Sequence, residues 1–584
     1  MNSPDGLALA RARFTPEQLA ERPWLASYPE GVPADVGAGE YGSLAELLDA
    51  AFSRYPQRVA FSFMGRDFSY AQVERLSAQL AAYLQSLGLQ KGDRVAVMLP
   101  NIIQYPIAAA AIMRAGLVLV NVNPLYTARE LQHQLQDSGA RLILALENFA
   151  HTLAQCVAHT RIEHVVLAGV GDQLGPIRGR FINWVLRRRK DASGRKVVPG
   201  FTLPDTVRVV RFNEALRRGS RQPWRSPSMG RDDLALLQYT GGTTGVSKGA
   251  MLTHGNVIAN TLQSEAWNKP AIDTLGGQPC VSVCVLPLYH IFGFTVGMMM
   301  SMRNGGQAVL IANPRDLDAT LAQLRGYTIH LFPAVNTLFG ALLNHPDFDR
   351  VDWSHLRITC GGGAAVQQAV AQRWLERTGC PICEGYGLSE ASPSVACNSV
   401  VTKTFSGTIG MPLPSTYLRC VDEAGRPVPT GEPGEIAIKG PQLMAGYWQQ
   451  PEETALVMTA DGYFRTGDIG VMDDKGYIKI VDRKKDMVLV SGFNVYPNEI
   501  EDAIGLMPGV RECAVVGVPD EKTGEAIKLV IVKKDQALSE AQVHEYARSH
   551  LTGYKRPKYV EFRTELPKNG VGKILRRELR DKDE

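Results

Sequence analysis

Tyr239-Thr-Gly-Gly-Thr-Thr-Gly-Val-Ser-Lys-Gly-Ala250 follows the apolar run 234–237, and this pairing of strand and glycine-rich loop sets the reading of the chain. Gly241, Gly242 and Gly245 let backbone N–H groups converge on an anion. The hydroxyls of Thr240, Thr243 and Thr244 add donors, and Lys248 adds a positive charge. A strand opening into such a loop suits a phosphate cradle. It is not a Walker A loop, which needs Gly-Lys-Ser/Thr, whereas Lys248 lies between Ser247 and Gly249. Taken alone, the loop reads equally well as a flexible surface segment.

Outward from the loop, strand and helix patterns alternate. Ser69-Tyr-Ala-Gln72 is a capping box, followed by apolar residues at 70, 73, 76, 80 and 84 and a stop at Gly88. A strand at 94–99, an alanine-rich helix around 107–114 and a strand at 117–120 follow. Thr127-Ala-Arg-Glu130 caps a further helix that ends near Gly139, before a strand at 141–145. Short apolar runs at 283–286, 308–311 and 357–359 extend the pattern. This rhythm predicts an α/β fold with mixed, largely parallel sheets and helices on their faces. After about Gly410 the pattern becomes turn-rich and alternating, which predicts antiparallel strands. Beyond Asp482-Arg-Lys-Lys-Asp486, helices at 498–506 and 539–551 and strands at 512–518 and 527–533 predict a small α+β domain. The boundary falls at Lys485, giving domains 1–485 and 486–584.

With 584 residues, two or more domains are expected. The net charge of +4 is too small over this length for a nucleic-acid binder. The N-terminus lacks a basic segment followed by a long apolar core, so no signal peptide is expected. Nine scattered cysteines then suggest reduced thiols in a cytoplasm. Cys380 and Cys383 form one isolated CxxC, which reads as packing. The uncharged stretch 281–302 contains Pro287 and His290, and it reads as a buried strand leading into an active-site turn rather than a membrane span.

Further segments occur in a fixed order: Pro287-Leu-Tyr-His-Ile-Phe-Gly293, Gly361-Gly-Gly-Ala364, Glu384-Gly-Tyr-Gly-Leu-Ser-Glu390, Tyr463-Phe-Arg-Thr-Gly-Asp468, Asp482-Arg-Lys-Lys-Asp486 with Gly492, and Pro567-Lys-Asn-Gly-Val-Gly-Lys573. Together with the loop they resemble the adenylate-forming (AMP-binding) superfamily, from about Leu44 to the end. Ser389 stands where the family usually has threonine, and Ser247 replaces a common proline; neither removes a required group. The resemblance implies a large N-terminal domain with a distorted barrel-like part and a small mobile C-terminal domain. It also implies ATP and coenzyme A as co-substrates with Mg²⁺ as cofactor.

The resemblance gives the residues roles that their chemistry supports. Glu390 and Thr240 are the expected Mg²⁺ ligands, since magnesium takes one or two protein oxygens and leaves the rest to phosphate and water. Tyr386 and Gly361, Gly362 and Gly363 form the expected adenine slot, with Glu384, Gly387 and Ser389 in the same nucleotide segment. Asp468 can accept both ribose hydroxyls, and Arg483 supports ribose or phosphate. Lys573 matches the catalytic lysine: a carboxylate must attack a negatively charged α-phosphate, and a positioned cation stabilises that transfer. His290 joins Lys573 and Glu390 among the catalytic candidates, at the entrance to the acyl site, with Phe294 as gate of the acyl tunnel. Lys485 is the implied hinge, about which the small domain swings to withdraw Lys573 and present the region near Gly492 to CoA.

Residues 463–501, and the loop with its following Ala-Met-Leu-Thr-His, are closest to bacterial long-chain acyl-CoA synthetases. Residues 177–196 add a separate signal. Ile177, Phe181, Trp184 and Val185 recur at helical spacing beside a dense basic run, which suits peripheral contact with an anionic inner-membrane surface. A soluble surface helix fits that pattern equally well. Two alternatives stay open: the same chemistry on another acid, or with a carrier protein as acceptor, and a non-catalytic nucleotide-binding or membrane-docking regulator. The latter is expected to lack Lys573 or Glu390. Oligomeric state is undecided, a homodimer among the options.

Overall fold

The computed structural model describes residues 13–37, 39–191, 193–240, 247–491, 493–520, 522–569 and 572–580. Gly241, Gly242, Thr243, Thr244, Gly245 and Gly492 therefore lie outside the described residues.

Two large sheets carry the first four hundred residues. One has the order Arg208–Arg211, His164–Ala168, Leu142–Leu146, Arg94–Met98, Val118–Asn121, Leu234–Thr240, Lys248–Thr253, parallel except for the last pair. The other has nine strands, with Ile382–Gly387, Ile358–Gly361, Leu331–Ala334, Val281–Cys284, Gln307–Leu310 and Val59–Phe63 parallel and antiparallel pairs at both ends. Helix Gln104–Arg114 is buried along its whole length, and one apolar core joins it to strands of both sheets. An alanine-rich helix has the small cross-section that such a layer needs.

The expected caps hold these helices. Ser69 and Gln72 form a complete capping box on Tyr70–Ser86, and Thr127 and Glu130 form another on Ala128–Ser138. Gly139 ends the latter helix at φ 62°, where glycine pays no Cβ penalty.

The stretch 281–302 opens as the expected buried strand, Val281–Cys284, and turns at Pro287. It then continues as a π-helix, Gly293–Met299, and a short α-helix, Met300–Arg303. Among the described residues no helix is long and apolar enough to cross a membrane. Cys380 packs in the apolar core beside Trp374 and Ile382.

The part expected to be barrel-like is built on a four-stranded antiparallel sheet, Tyr417–Val421, Gly434–Lys439, Phe464–Met472 and Ile478–Arg483. The smaller C-terminal domain follows. Its long hairpin Val510–Asp520 and Gly524–Lys533 carries Pro497–Gly505 and Glu540–His550 over a separate core of Ile500, Ile504, Val515, Leu529, Ile531 and Val543. Tyr559–Arg563 adds a parallel edge strand to Gly524–Lys533. The sequence reading did not foresee it, because Glu561 and Arg563 interrupt its apolar run.

Candidate active site

Strand ends from both large sheets, the antiparallel sheet and the C-terminal loop meet around one cavity of about 1830 Å³. That exceeds the usual span of a single small-molecule pocket, about 300–1000 Å³. Thr240 and Lys248 face each other in register on either side of the glycine-rich loop, and both line the cavity. The Lys248 ammonium pairs with Glu453 and lies 5.4 Å from the centre of the Tyr447 ring.

Asp468 and Arg483 are paired across adjacent strands. Arg483 Nε lies 3.1 Å from Asp468 Oδ1, and the Tyr386 hydroxyl donates to Asp468 Oδ2 at 2.6 Å. A carboxylate has about four acceptor positions, so each oxygen keeps one for a further donor. Tyr386 is thereby fixed with its ring on the cavity wall.

The wall beside Tyr386 is built on glycines. A Cβ on Gly361 would come within 2.5 Å of Val366 Cγ2, and one on Gly362 within 2.9 Å of the Phe292 ring. Gly363 has φ +78°, and with Gly362 and Gly387 it lines the cavity. Glu384 sits behind this wall, where its Oε1 accepts the backbone N–H of Val366 at 3.0 Å. Burial pushes its carboxyl up to about 8.

Ser389 and Glu390 follow on the cavity rim. Glu390 Oε1 accepts the Tyr447 hydroxyl at 2.9 Å, and burial raises its carboxyl above the ordinary range. A half-buried carboxylate and the Thr240 hydroxyl are hard oxygen donors, the kind magnesium prefers. The donor set fits that ion.

Lys573 comes from the C-terminal domain, yet it lines the same cavity. Its loop is closed by Asn569, whose Oδ1 accepts the Lys573 N–H at 2.8 Å. Burial first, then the charge of Arg483, lowers the half-buried ammonium to about 7. His290 is lowered to about 4 by burial and then by Lys573, so its imidazole is neutral near pH 7. Its Nδ1 accepts the Phe292 N–H at 3.2 Å.

Phe294 does not stand on the cavity wall. It is fully buried in the core, whereas Phe292 and Val296 face the cavity. An apolar recess runs on from there along Trp267, Val296, Leu331, Ile358, Val400 and Leu413. Lys485 is exposed at the rim.

Residues 48–448 match the AMP-binding enzyme family, and residues 499–573 match the AMP-binding enzyme C-terminal domain. The chain belongs to the AMP-binding enzyme family. A long-chain-fatty-acid–CoA ligase of Escherichia coli O6:H1 is 50% identical over 559 residues, 96% of this chain and 98% of the relative. The protein of the same name from Bacillus subtilis is 37% identical, covering 97% and 98%. The solved structure of ATP-bound MatB from Rhodopseudomonas palustris superimposes with a TM-score of 0.76 at 29% identity, covering 92% of this chain and 98% of that one.

Several wall residues of this AMP-binding enzyme escaped the sequence reading. Tyr447 sits in an Ala-Gly-Tyr-Trp turn and Glu453 in the following acidic helix; neither carries a chemical signature until the fold brings it to Glu390 or Lys248. Phe292 lies within the segment 287–293, whose sequence does not tell which of its side chains faces the cavity.

Proposed function

We propose that this AMP-binding enzyme activates a long-chain fatty acid with ATP, releasing pyrophosphate, and transfers the acyl group from the adenylate to coenzyme A. One observation carries the reading: Lys573 shares a single cavity with Asp468, Tyr386 and Glu390, and that cavity continues into an apolar recess.

In this reading Tyr386 and the glycines at 361–363 take the adenine, Asp468 accepts the ribose hydroxyls, and Arg483 orients Asp468. Glu390 and Thr240 would hold magnesium, which neutralises phosphate charge when bound. The Lys573 ammonium stabilises negative charge at the α-phosphate as the carboxylate attacks. His290, kept neutral, and Phe292 border the point where the acyl chain enters the recess. Domains 1–485 and 486–584 turn about Lys485 between the two half-reactions. The matched segments leave 449–498 between them, which supports a boundary there. The test is pyrophosphate release across acids of increasing chain length, with CoA and a carrier protein as competing acceptors. Long-chain acids with CoA are expected to dominate; preference for an aromatic or short acid overturns the substrate.

The same reading includes peripheral contact with an anionic membrane through residues 177–196, where a lipid substrate is found. Helix Pro176–Arg188 turns Gly179 and Asn183 inward, with Ile182 half-buried against the core. Gly179 approaches Gly171 so closely that a Cβ would meet the Gly171 oxygen at 2.1 Å. Asn183 bonds Gly171 N and Asp172, at 2.7 and 2.9 Å, and Arg187 pairs with buried Glu147 at 2.9 Å. Ile177, Phe181 and Trp184 face solvent with exposures of 84%, 63% and 51%. An ordinary surface helix does not present such a stripe of large apolar residues to water. Arg188 lies 4.3 Å from the Trp184 ring, and residues 176–196 hold eight basic residues against one acidic one. Such a charged rim repels a second copy of itself and complements anionic headgroups.

A further inference from the structure

Two contacts fasten the loop that carries Lys573, one at its tip and one at its base. At the tip, Gly572 has φ +86° and lies so close to the large domain that a Cβ would meet Thr337 Oγ1 at 3.0 Å and Val335 Cγ2 at 3.3 Å. At the base, the contact spans the hinge.

Asp482 belongs to the strand Ile478–Arg483, before Lys485, and is 0% exposed. Its Oδ2 accepts the backbone N–H of Asn498 at 2.9 Å, in the first turn of Pro497–Gly505. Its Oδ1 accepts the Arg483 N–H at 2.7 Å and lies 3.6 Å from Arg576 Nη1. Arg576 Nη2 donates to Asn498 Oδ1 at 2.8 Å and reaches both oxygens of Glu501, at 2.9 and 2.8 Å. Nη1 also lies 3.5 Å from Asp486 Oδ2. Arg576 is thus a planar fork held by one carboxylate before the hinge and two after it, three residues along the chain from Lys573.

A buried carboxylate is costly unless charge and hydrogen bonds compensate it. For Asp482 the compensation is the adjacent Arg483 N–H together with a guanidinium and a helix N-terminus, and the last two lie beyond Lys485. These two contacts are made with Lys573, on the same domain, lining the cavity. We propose that Arg576 is a positioning residue for adenylate formation: by bridging Asp482 to Glu501 across Lys485 it keeps Lys573 in place, and the bridge parts when the domain turns to make the thioester. This rests on the reading of Lys573 and Lys485 given above.

The test compares Arg576→Ala, Asp482→Asn, Arg576→Lys and Lys573→Ala in the full chain. Each is assayed for acid-dependent pyrophosphate release and, separately, for thioester formation from supplied acyl-adenylate and CoA. Arg576→Ala is expected to lower pyrophosphate release about 10–100-fold, the scale of a misplaced catalytic group, with thioester formation within about threefold. Asp482→Asn shifts the same way by less, since an amide oxygen still accepts the Asn498 N–H. Arg576→Lys recovers part of the loss, because a point charge cannot span the three carboxylates as the fork does. Trypsin should cut faster at exposed Lys484–Lys485 in Arg576→Ala. Equal loss in both half-reactions with a lower melting temperature would mean a merely structural arginine and overturn the proposal. Normal adenylation in Arg576→Ala beside lost adenylation in Lys573→Ala overturns the bridge alone. Normal adenylation in Lys573→Ala overturns the reading of Lys573 and the bridge with it.

Discussion

Tyr386 and Asp468 are joined by a hydrogen bond of 2.6 Å, from the phenol to Oδ2, while Arg483 holds the other carboxylate oxygen at 3.1 Å. The aromatic surface proposed for adenine and the acceptor proposed for ribose are therefore one unit. Tyr386→Phe keeps the ring and removes the tie. A hydrogen bond to a charged group contributes about 1.5–3 kcal/mol, so KM for ATP should rise about tenfold or more while KM for the acid stays near wild type. Steady-state kinetics with each substrate varied checks this; parallel changes in both would contradict it.

Tyr447 stands in the same relation to Glu390. Removing its hydroxyl in Tyr447→Phe takes away the hydrogen bond that the Glu390 carboxylate accepts. Losing a partner of a metal-binding group typically weakens metal affinity about 10–100-fold. A magnesium titration of pyrophosphate release should show a higher half-saturating concentration, with the maximal rate approached at high magnesium. An unchanged titration curve argues against Glu390 as the ligand.

Lys573 gives the reaction a pH dependence of defined sign. Burial and Arg483 lower its ammonium to about 7, so the group is charged below that value and neutral above it. In the proposed role of Lys573 adenylate formation needs the charge, so kcat/KM should fall as pH rises through about 7, by about tenfold per unit. In kcat the limb moves to higher pH, because phosphate oxygens favour the charged form. Lys573→Arg, which stays charged, should abolish the limb even where it lowers the rate. His290 is already neutral above about 4 and does not contribute to it.

The outward apolar face of Pro176–Arg188 predicts a separable membrane function. Ile177→Ser, Phe181→Ser and Trp184→Ser combined should reduce binding to vesicles containing phosphatidylglycerol by at least about tenfold, given about 1.5–3 kcal/mol for burying each such side chain. Activity on detergent-dispersed acid should be retained, and raised salt should weaken the wild type's binding. Cosedimentation equal to wild type would sink the membrane reading; a change in oligomeric state instead would assign the face to a second copy.

Local signals were legible wherever neighbours in sequence make the structure. The capping boxes at Ser69 and Thr127, the strand before the glycine-rich loop and the helices of the C-terminal domain all follow from short-range chemistry. The site motifs converge on one cavity because each lies at a strand end or turn. Long-range partners were not legible: Tyr447, Glu453 and Arg576 gain their roles only from residues 57, 205 and 75 positions away. Phe294 shows a different limit. Two residues along a helical turn reverse the side a ring faces, so Phe292 reaches the cavity and Phe294 enters the core. The π-helix that sets this phase leaves no compositional mark.

In the proposed reaction one lysine of the C-terminal domain, Lys573, serves the first half-reaction alone. Lys573→Ala, assayed separately for adenylate formation and for thioester formation from supplied acyl-adenylate, tests it most directly. Losing a positioned charge of this kind costs on the order of 10²–10³-fold. That loss is expected in adenylate formation, with thioester formation kept within a few-fold of wild type. Equal loss in the two half-reactions would contradict it.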